Sequence, residues 1–231
     1  MTVFAPGEVI SYLDMCRMEK ASLQRGMNYQ LSGAVSVILM SRRPNAPYND
    51  VIEERGKVLI YEGHDQPRNR DAPDPKTVDQ SYASPSGAPT QNGLFFEAAR
   101  RAKAGHQPER VRVYEKIRTG IWVFNGVFDL VDAWKERVEG RSVFKFKLVI
   151  VDDAMAHDVV APELEHTRLI PSAIKMEVWK RDKGCCVRCG ATDHLHFDHL
   201  LPYSKGGSSL LAENIQLLCA RHNLEKRDRI E

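Results

Sequence analysis

The segment from Cys185 to Ile230, CCVRCGATDHLHFDHLLPYSKGGSSLLAENIQLLCARHNLEKRDRI, decides the fold of the C-terminal part of the chain. It contains two pairs of metal-ligand residue types, Cys186-x-x-Cys189 and Cys219-x-x-His222. Three thiolates and one imidazole make a closed tetrahedral zinc site with no position left for a substrate. We therefore predict a structural zinc that lets a segment with a small core fold. Cys185 adjoins the first pair, but Cys186 alone gives the two-residue gap.

A second set of polar residues lies between and after these two pairs. Asp198-His199 follows alternating apolar residues that predict a short strand, and Asn214 comes further along the chain. Asn223 directly follows the zinc ligand His222, and Lys226 comes three residues after Asn223. Residues three apart share a helix face, so Lys226 and Asn223 are expected side by side.

This arrangement resembles the HNH, or ββα-metal, nuclease family over about residues 174–231. The family has an acidic metal ligand, a general-base His, a Gly-containing loop, an Asn, and a final His or Asn ligand on a helix. The matching residues here are Asp198, His199, the Lys205-Gly206-Gly207 loop, Asn214 and Asn223. The resemblance implies a metal-dependent endonuclease with a catalytic site separate from the zinc.

The chemistry of phosphodiester hydrolysis suits these residues. His199 has a side chain that titrates near neutrality and is the candidate general base. Oxygen ligands from Asp198 and Asn223 favour Mg²⁺ or Mn²⁺, which stabilises phosphate charge and the leaving oxygen. Lys226 is a candidate phosphate contact, and Asn214 is expected to tie the active-site loop to the strand. His196 precedes Asp198 by two residues, and a packing or surface role is favoured for it.

The rest of the chain contains short runs of β-branched and aromatic residues that predict strands. One helix is expected around Ala98–Ala104, after Asn92-Gly93, and another from Ser172, with Ser172 as its N-cap. The fold class is therefore α+β, with an N-terminal curled β-sheet or barrel, a few helices and the small zinc-stapled domain. The predicted strands are Val35–Met40, Val58–Tyr61, Val111–Tyr114, Ile121–Phe124, Val127–Val131 and Phe144–Val151.

Two segments of the chain lack a clear strand or helix pattern and separate the predicted elements. Residues 62–93 are dense in Pro, Asp, Ser, Gly and Asn, and a loop of that length is usually functional or disordered. Residues 154–171 are mixed in character and carry two prolines. We predict a DNA-recognition domain over residues 1–160, a linker over 161–173 and the nuclease domain over 174–231.

The N-terminal part resembles the SET-and-RING-associated (SRA) family, which has a PUA-like fold, over about residues 25–150. The resemblance rests on Tyr48-Asn49-Asp50-Val51, Tyr61–Asp65 and the run from Val111 to Trp134. The family's Tyr-Asp-Gly is Phe124-Asn125-Gly126 here. The family flips 5-methylcytosine out of the duplex and binds it in a pocket, which the resemblance implies for this chain.

A flipped base needs an aromatic surface for stacking and polar groups for its Watson–Crick edge. Tyr61 is the first candidate for stacking and Tyr48 the second. Asp50 is the candidate acceptor for the cytosine amino group. The alternative is that all three are strand-end and core residues. Four arginines, at positions 42, 43, 68 and 70, are candidate phosphate contacts, with plain surface charge an equal alternative.

Composition counts weakly against a DNA partner but does not exclude one. The chain of 231 residues has 33 Lys and Arg against 31 Asp and Glu, a net charge of only +2, although a balanced total can hide a basic face. No apolar run is long enough for a membrane span, and no signal peptide is recognisable, so a cytoplasmic protein without a membrane partner is expected. A restriction enzyme of the kind hypothesised next would be prokaryotic.

The leading hypothesis is a modification-dependent, type IV-like restriction endonuclease for double-stranded DNA that contains 5-methylcytosine or 5-hydroxymethylcytosine. Cutting both strands with one active site per chain favours a homodimer. Two alternatives stay open. One is an HNH endonuclease that recognises unmodified sequence or structure, and the other is a non-catalytic reader of modified DNA.

Overall fold

The computed structural model describes residues 4–31, 35–70, 72–151, 169–202 and 207–226. Most of the predicted 161–173 linker, and Lys205 and Gly206 of the predicted loop, lie outside these residues. The N-terminal part is one mixed eight-stranded sheet in the order β2-β3-β6-β7-β8-β5-β4, with β1 paired to β7. The strands are β1 Val9–Ser11, β2 Met27–Leu31, β3 Val35–Met40, β4 Val51–Glu53, β5 Val58–Glu62, β6 Glu109–Arg118, β7 Ile121–Val138 and β8 Arg141–Ile150.

The sheet is antiparallel except where β3 and β6 run parallel. Each predicted strand lies in an observed one, except that Val151 follows the last residue of β8, and the predicted sheet with few helices is confirmed. The predicted strands Ile121–Phe124 and Val127–Val131, however, are one strand, β7. Tyr114 pairs with Phe124 and Val113 with Gly126, so Asn125 is an extra residue in a β-bulge. Gly126 adopts φ 105° there, which glycine tolerates, so the bulge bends the strand without ending it.

Four helices complete the described structure: α1 Tyr12–Glu19, α2 Gln91–Lys103, α3 Ser172–Arg181 and α4 Ala220–Lys226. The prediction that a helix follows Asn92-Gly93 placed its start too late. Thr90 is the N-cap of α2, and its hydroxyl accepts from the Gly93 N–H at 3.2 Å. Gly93 lies in the first turn, and a Cβ there would lie 2.3 Å from the Tyr82 carbonyl oxygen, so only glycine fits at this position.

Helix α2 packs against the sheet and closes the main core. Its buried residues Phe95, Ala98 and Ala99 contact side chains from six strands in one apolar cluster, which also includes Tyr61 and Phe146. Burial of this apolar surface is the main favourable contribution to folding of the N-terminal part.

The C-terminal part has the ββα order that the HNH resemblance implies. Strand β9 (Leu195–His199) pairs antiparallel with β10 (Ile215–Cys219), and α4 follows β10 directly. The prediction that Ser172 is the N-cap of α3 is wrong. Pro171 takes that position, and the Ser172 hydroxyl instead donates to the Glu115 carboxylate of β6.

Within the part of the chain that the structure describes, no helix is long and apolar enough to cross a membrane.

Candidate nuclease site and base pocket

The ends of β9, β10 and α4 bring the predicted nuclease residues to one region. Asp198 and His199 end β9, Asn214 immediately precedes β10, and Asn223 lies half-buried on α4. Pairing of Asp198 with Gln216 and of His199 with Ile215 fixes the end of β9 against the start of β10. The strand register therefore determines where the Asp-His pair lies relative to Asn214.

The Asp198 carboxylate is buried and contacts the side chains of Lys226 and Gln216. Its Oδ2 lies 3.0 Å from Lys226 Nζ and accepts from Gln216 Nε2 at 3.3 Å. Lys226 is 1% exposed, and its ammonium also donates to the His199 carbonyl oxygen at 2.5 Å. The ammonium that sequence analysis assigned to a phosphate therefore lies against the carboxylate assigned to the metal.

The His199 ring is held by a residue that sequence analysis missed. Its Nε2 lies 2.8 Å from the Ser209 hydroxyl, and both residues are buried. Ser209 sits ten residues further along, in the loop before β10, where no motif spacing marks it. The contact fixes the orientation of the imidazole.

Asn214 bridges the two ends of the loop between β9 and β10. Its Oδ1 accepts from the Leu201 N–H at 2.8 Å, and its Nδ2 donates to the carbonyls of Leu201 and Ser208 at 3.0 and 3.1 Å. At Gly207 a Cβ would lie 1.7 Å from the Leu201 carbonyl oxygen, so a glycine is required for this close approach. The Asn214 amide thus holds the loop closed next to the Asp-His pair.

The four predicted zinc ligands form a compact cluster. Ligand atoms of Cys186, Cys189, Cys219 and His222 all lie within 4.8 Å of one another. Cys189 Sγ is 3.8 Å from Cys219 Sγ, and His222 Nδ1 is 3.3 and 3.4 Å from the sulfurs of Cys186 and Cys219. A tetrahedral zinc with ordinary bond lengths requires about 3.8 Å between sulfurs and about 3.6 Å between sulfur and nitrogen. The donor set and its spacing therefore fit zinc.

The charge state of Cys186 agrees with a ligand role. Burial alone would raise the pKa of its thiol, but hydrogen bonds from the Cys219 backbone and the His222 ring outweigh that effect and lower it to about 6. The thiolate, which is the form that binds metal, is thus favoured at neutral pH.

A cavity of about 590 Å³ opens on the sheet at the predicted base-binding residues. Tyr48, Asp50 and His64 line it together with apolar side chains that include Leu23 and Trp122. A volume in this range accommodates a small organic ligand. The cavity thus combines aromatic walls with a buried carboxylate, whereas Tyr61 does not line it.

Asp50 is fixed by two backbone donors. Its Oδ1 accepts from the Glu62 N–H at 3.1 Å and its Oδ2 from the Ser41 N–H at 3.2 Å. Burial raises the pKa of the Asp50 carboxyl to about 7, against the effect of these hydrogen bonds. The group therefore changes charge within the physiological range.

His64, in the segment Tyr61–Asp65, is a pocket residue that the sequence did not mark as a candidate for base binding. Its ring stacks on Tyr48, with centroids 4.8 Å apart and planes 7° from parallel, and its Nε2 lies 2.8 Å from the Tyr61 hydroxyl. Burial lowers the pKa of His64 to about 4, so the ring is neutral. The Tyr61 ring is 1% exposed and packs in the main core, so His64 lies between it and Tyr48. The signal available in the sequence was the position of His64 three residues after the predicted strand Val58–Tyr61.

A second, more polar cavity of about 640 Å³ shares Tyr48 and Asp50 with the first. Arg42, Arg43 and Lys76 line it, so two of the four predicted phosphate-binding arginines lie beside the base pocket. Arg68 and Arg70 are exposed on the loop between β5 and α2, where Arg68 forms an ion pair with Asp74.

Models of two known families match separate parts of the chain. The SAD/SRA domain family model matches residues 11–154, which is more than half of the chain. The chain belongs to the SAD/SRA family. The HNH endonuclease family model matches residues 186–229, so an SAD/SRA domain is followed by an HNH endonuclease domain.

Solved structures similar to this SAD/SRA chain include SRA domains bound to modified DNA. The SRA domain of SUVH5 with hemimethylated CG DNA is 26% identical, with 65% of this chain and 90% of that chain covered and a TM-score of 0.46. The SUVH5 SRA domain with fully hydroxymethylated CG DNA is 23% identical, with 62% and 85% covered and a TM-score of 0.44. Arabidopsis thaliana SUVH6 with SAM is 20% identical, with 64% and 25% covered and a TM-score of 0.40. No curated protein matches the chain.

Proposed function

We propose that this protein is a modification-dependent endonuclease that binds 5-methylcytosine or 5-hydroxymethylcytosine in double-stranded DNA and hydrolyses a nearby phosphodiester bond. The observation that carries the proposal is the presence, in one chain, of a SAD/SRA domain with a cavity large enough for a base and an HNH domain with its Asp-His pair. A prokaryotic restriction enzyme against modified foreign DNA is the biological role that this combination supports.

Recognition of the flipped base is assigned to the first cavity. Asp50 accepts from the cytosine amino group when ionised, and Tyr48 provides the stacking surface. Because His64 stacks on the Tyr48 ring in the structure, a base that uses the same ring surface must displace the imidazole. Tyr61 supports this arrangement from the core through its hydroxyl contact with His64. Arg42 and Arg43 lie beside the cavity where they can neutralise backbone phosphates.

Hydrolysis is assigned to the region around β9. His199 takes a proton from the attacking water, with its ring oriented by Ser209. Asp198 and Asn223 provide oxygen donors of the type that Mg²⁺ or Mn²⁺ prefers. Such an ion, when bound, stabilises the charge that develops on the phosphate and on the leaving oxygen. The Lys226 ammonium, next to Asp198, adds positive charge beside the scissile phosphate.

The structural zinc has a separate role in this proposal. Its four ligands hold the start of α4 against the segment before β9, and Asn223 follows the ligand His222 directly. Zinc binding thereby fixes Asn223 relative to Asp198 without a part in the chemistry. A homodimer, or two chains that meet on DNA, would supply the second active site that a double-strand break requires.

The experiment compares the parent protein with His199→Ala on a duplex that contains 5-methylcytosine, with Mg²⁺ or Mn²⁺. Cleavage should fall by at least about a hundredfold in the variant, since a general base contributes about 10²–10⁴ to the rate. Affinity for the modified duplex should be unchanged, because His199 lies in the HNH domain. Equal cleavage by both proteins would refute the catalytic assignment, and absence of cleavage by the parent with any divalent ion would favour a non-catalytic reader.

A further inference from the structure

Two separate connections join the SRA sheet to the nuclease module, defined here as residues 169–202 and 207–226. The first is the chain segment before β1. The Gly7 N–H donates to the Phe124 carbonyl of β7 at 2.8 Å, and the Phe197 N–H of β9 donates to the Gly7 carbonyl at 3.2 Å. Glu8 forms an antiparallel bridge with His196. The segment therefore lies between β7 and β9. Its contact residue on β9, Phe197, directly precedes the proposed metal ligand Asp198 in the sequence.

The second connection is helix α3, whose first half is anchored to the sheet. Lys175 Nζ lies 2.6 Å from Glu115 Oε2 of β6 and donates to Asn125 Oδ1 of β7 at 2.6 Å. Ser172 donates to the same carboxylate, and Asn125 Nδ2 donates to it at 3.0 Å. The side chains of Lys175 and Glu115 are 2% and 0% exposed, so the ion pair is fully enclosed.

The second half of α3 is anchored to the nuclease module. Arg181 donates to the carbonyl oxygens of Ala212 and Ile215 at 2.7 and 2.6 Å. Asp182, which follows the helix, accepts from the Leu217 N–H of β10 at 2.9 Å. A helix of this length spans about 15 Å, so α3 is a short strut held at both ends.

Apolar packing is continuous across the same boundary. Ile117 of β6 and Val123 of β7 belong to one buried cluster with Val178 of α3, Phe197 of β9 and Leu217 of β10. Apolar contacts are not directional, and by themselves they tolerate more than one arrangement of two packed surfaces. A buried ion pair is a weak source of net stability, but it permits few geometries because an unpaired buried charge is very costly.

We propose that Glu115 and Lys175 are positioning residues that hold the nuclease site in one arrangement relative to the base pocket, so that the cut falls at one offset from the modified base. This inference rests on the proposed function. The bulge residue Asn125 joins the pair to β7, the strand that also pairs with β1 and carries Phe124. Both connections therefore converge on the same part of the sheet.

The test maps cut positions on both strands of a long duplex that contains a single 5-methylcytosine, in single-turnover reactions. The parent protein should give one dominant position per strand. The double variant E115Q/K175M removes both charges at similar volume and avoids the isolated buried charge that either single change would leave. We expect its cuts to spread over several neighbouring positions, while affinity for the modified duplex changes by less than about twofold. The control K103M/D132N removes an exposed ion pair between α2 and β7 and should retain the parent pattern.

Scattered cuts by the parent protein, or an unchanged single offset in E115Q/K175M, would overturn the inference.

A second measurement does not depend on activity or on the variant. Spin-labelled unnatural amino acids at the exposed positions Lys103 and Leu224 report the distance between sheet and nuclease module. One narrow distance distribution in the parent supports a single arrangement, and a broad one refutes it. A narrow distribution with no cleavage of modified DNA would mean that the proposed function fails while the single arrangement holds.

Discussion

A few individual residues are responsible for the base recognition and the hydrolysis that we propose. Sequence motifs identify some of these residues and miss others. Asp198, His199 and the zinc ligands follow from order and spacing, because local chain geometry determines which of them can meet. Ser209 and His64 could not be predicted in this way. Each is placed by a loop whose path depends on packing, so their contacts with His199 and Tyr48 emerge only in the folded chain.

Asp50 gives a pH-dependent prediction at this scale. Its pKa is about 7 in the folded protein and near 3.8 when the chain is unfolded, so the folded state binds more protons between these values. The contribution of Asp50 to the free energy of unfolding is therefore fully present below pH 4 and is lost as the pH rises through about 7. Asp50→Asn should remove this part of the pH dependence, measured by urea denaturation at pH 4.5 and 7.5.

The same variant should also be less stable at pH 4.5, by about 1–3 kcal/mol, because one amide oxygen cannot replace both acceptors of the Ser41 and Glu62 N–H groups. Glu54→Gln, which changes an exposed carboxylate in the turn between β4 and β5, is the control and should leave the pH profile as it is. A parent-like profile in Asp50→Asn would show that Asp50 titrates normally.

Ser209 gives a second prediction. Ser209→Ala removes the hydroxyl that lies 2.8 Å from His199 Nε2, so the imidazole loses its fixed orientation. Cleavage of modified DNA should slow by about 10–100-fold, the usual effect of losing an orienting partner, with little change in DNA affinity. The matched control is Ser208→Ala in the same loop, because its hydroxyl accepts from the Leu210 N–H. Equal rates in Ser209→Ala and the parent would exclude a role for this contact.

Among secondary-structure elements, periodicity predicted strands well and their ends poorly. The β-branched runs lie inside observed strands, but the bulge at Asn125-Gly126 looked like a break between two strands because turns and bulges use the same residue types. The late start assigned to α2 has a similar cause. Gly93 is typical of a loop, yet here it lies in the first turn of α2, where the Tyr82 backbone leaves no room for a side chain.

The zinc cluster yields a prediction about the elements that it joins. The parent and Cys185→Ser should each bind about one zinc per chain, because Cys185 lies outside the four-residue cluster. Cys186→Ser should lose the zinc, and with it the order of β9, β10 and α4. Metal analysis and amide hydrogen exchange over residues 195–226 provide the measurements. Full zinc content in Cys186→Ser, or its loss in Cys185→Ser, would contradict the ligand assignment.

For the whole molecule, sequence analysis predicted two kinds of domain but not their contact. The enclosed Glu115–Lys175 pair joins residues 60 positions apart, and the Gly7–Phe197 hydrogen bond joins the segment before β1 to strand β9. No local pattern encodes such distant pairs, since each residue alone is unremarkable in its segment. The limits of the domains and the dimeric state remain predictions.

The account as a whole depends on cleavage that requires a modified base. The most direct measurement is the cleavage rate on three matched duplexes that contain cytosine, 5-methylcytosine or 5-hydroxymethylcytosine at one position, with Mg²⁺ or Mn²⁺ present. For a modification-dependent endonuclease, we expect cutting of one or both modified duplexes and little cutting of the unmodified one. Equal rates on all three duplexes would contradict it, because the nuclease would then act without the base pocket.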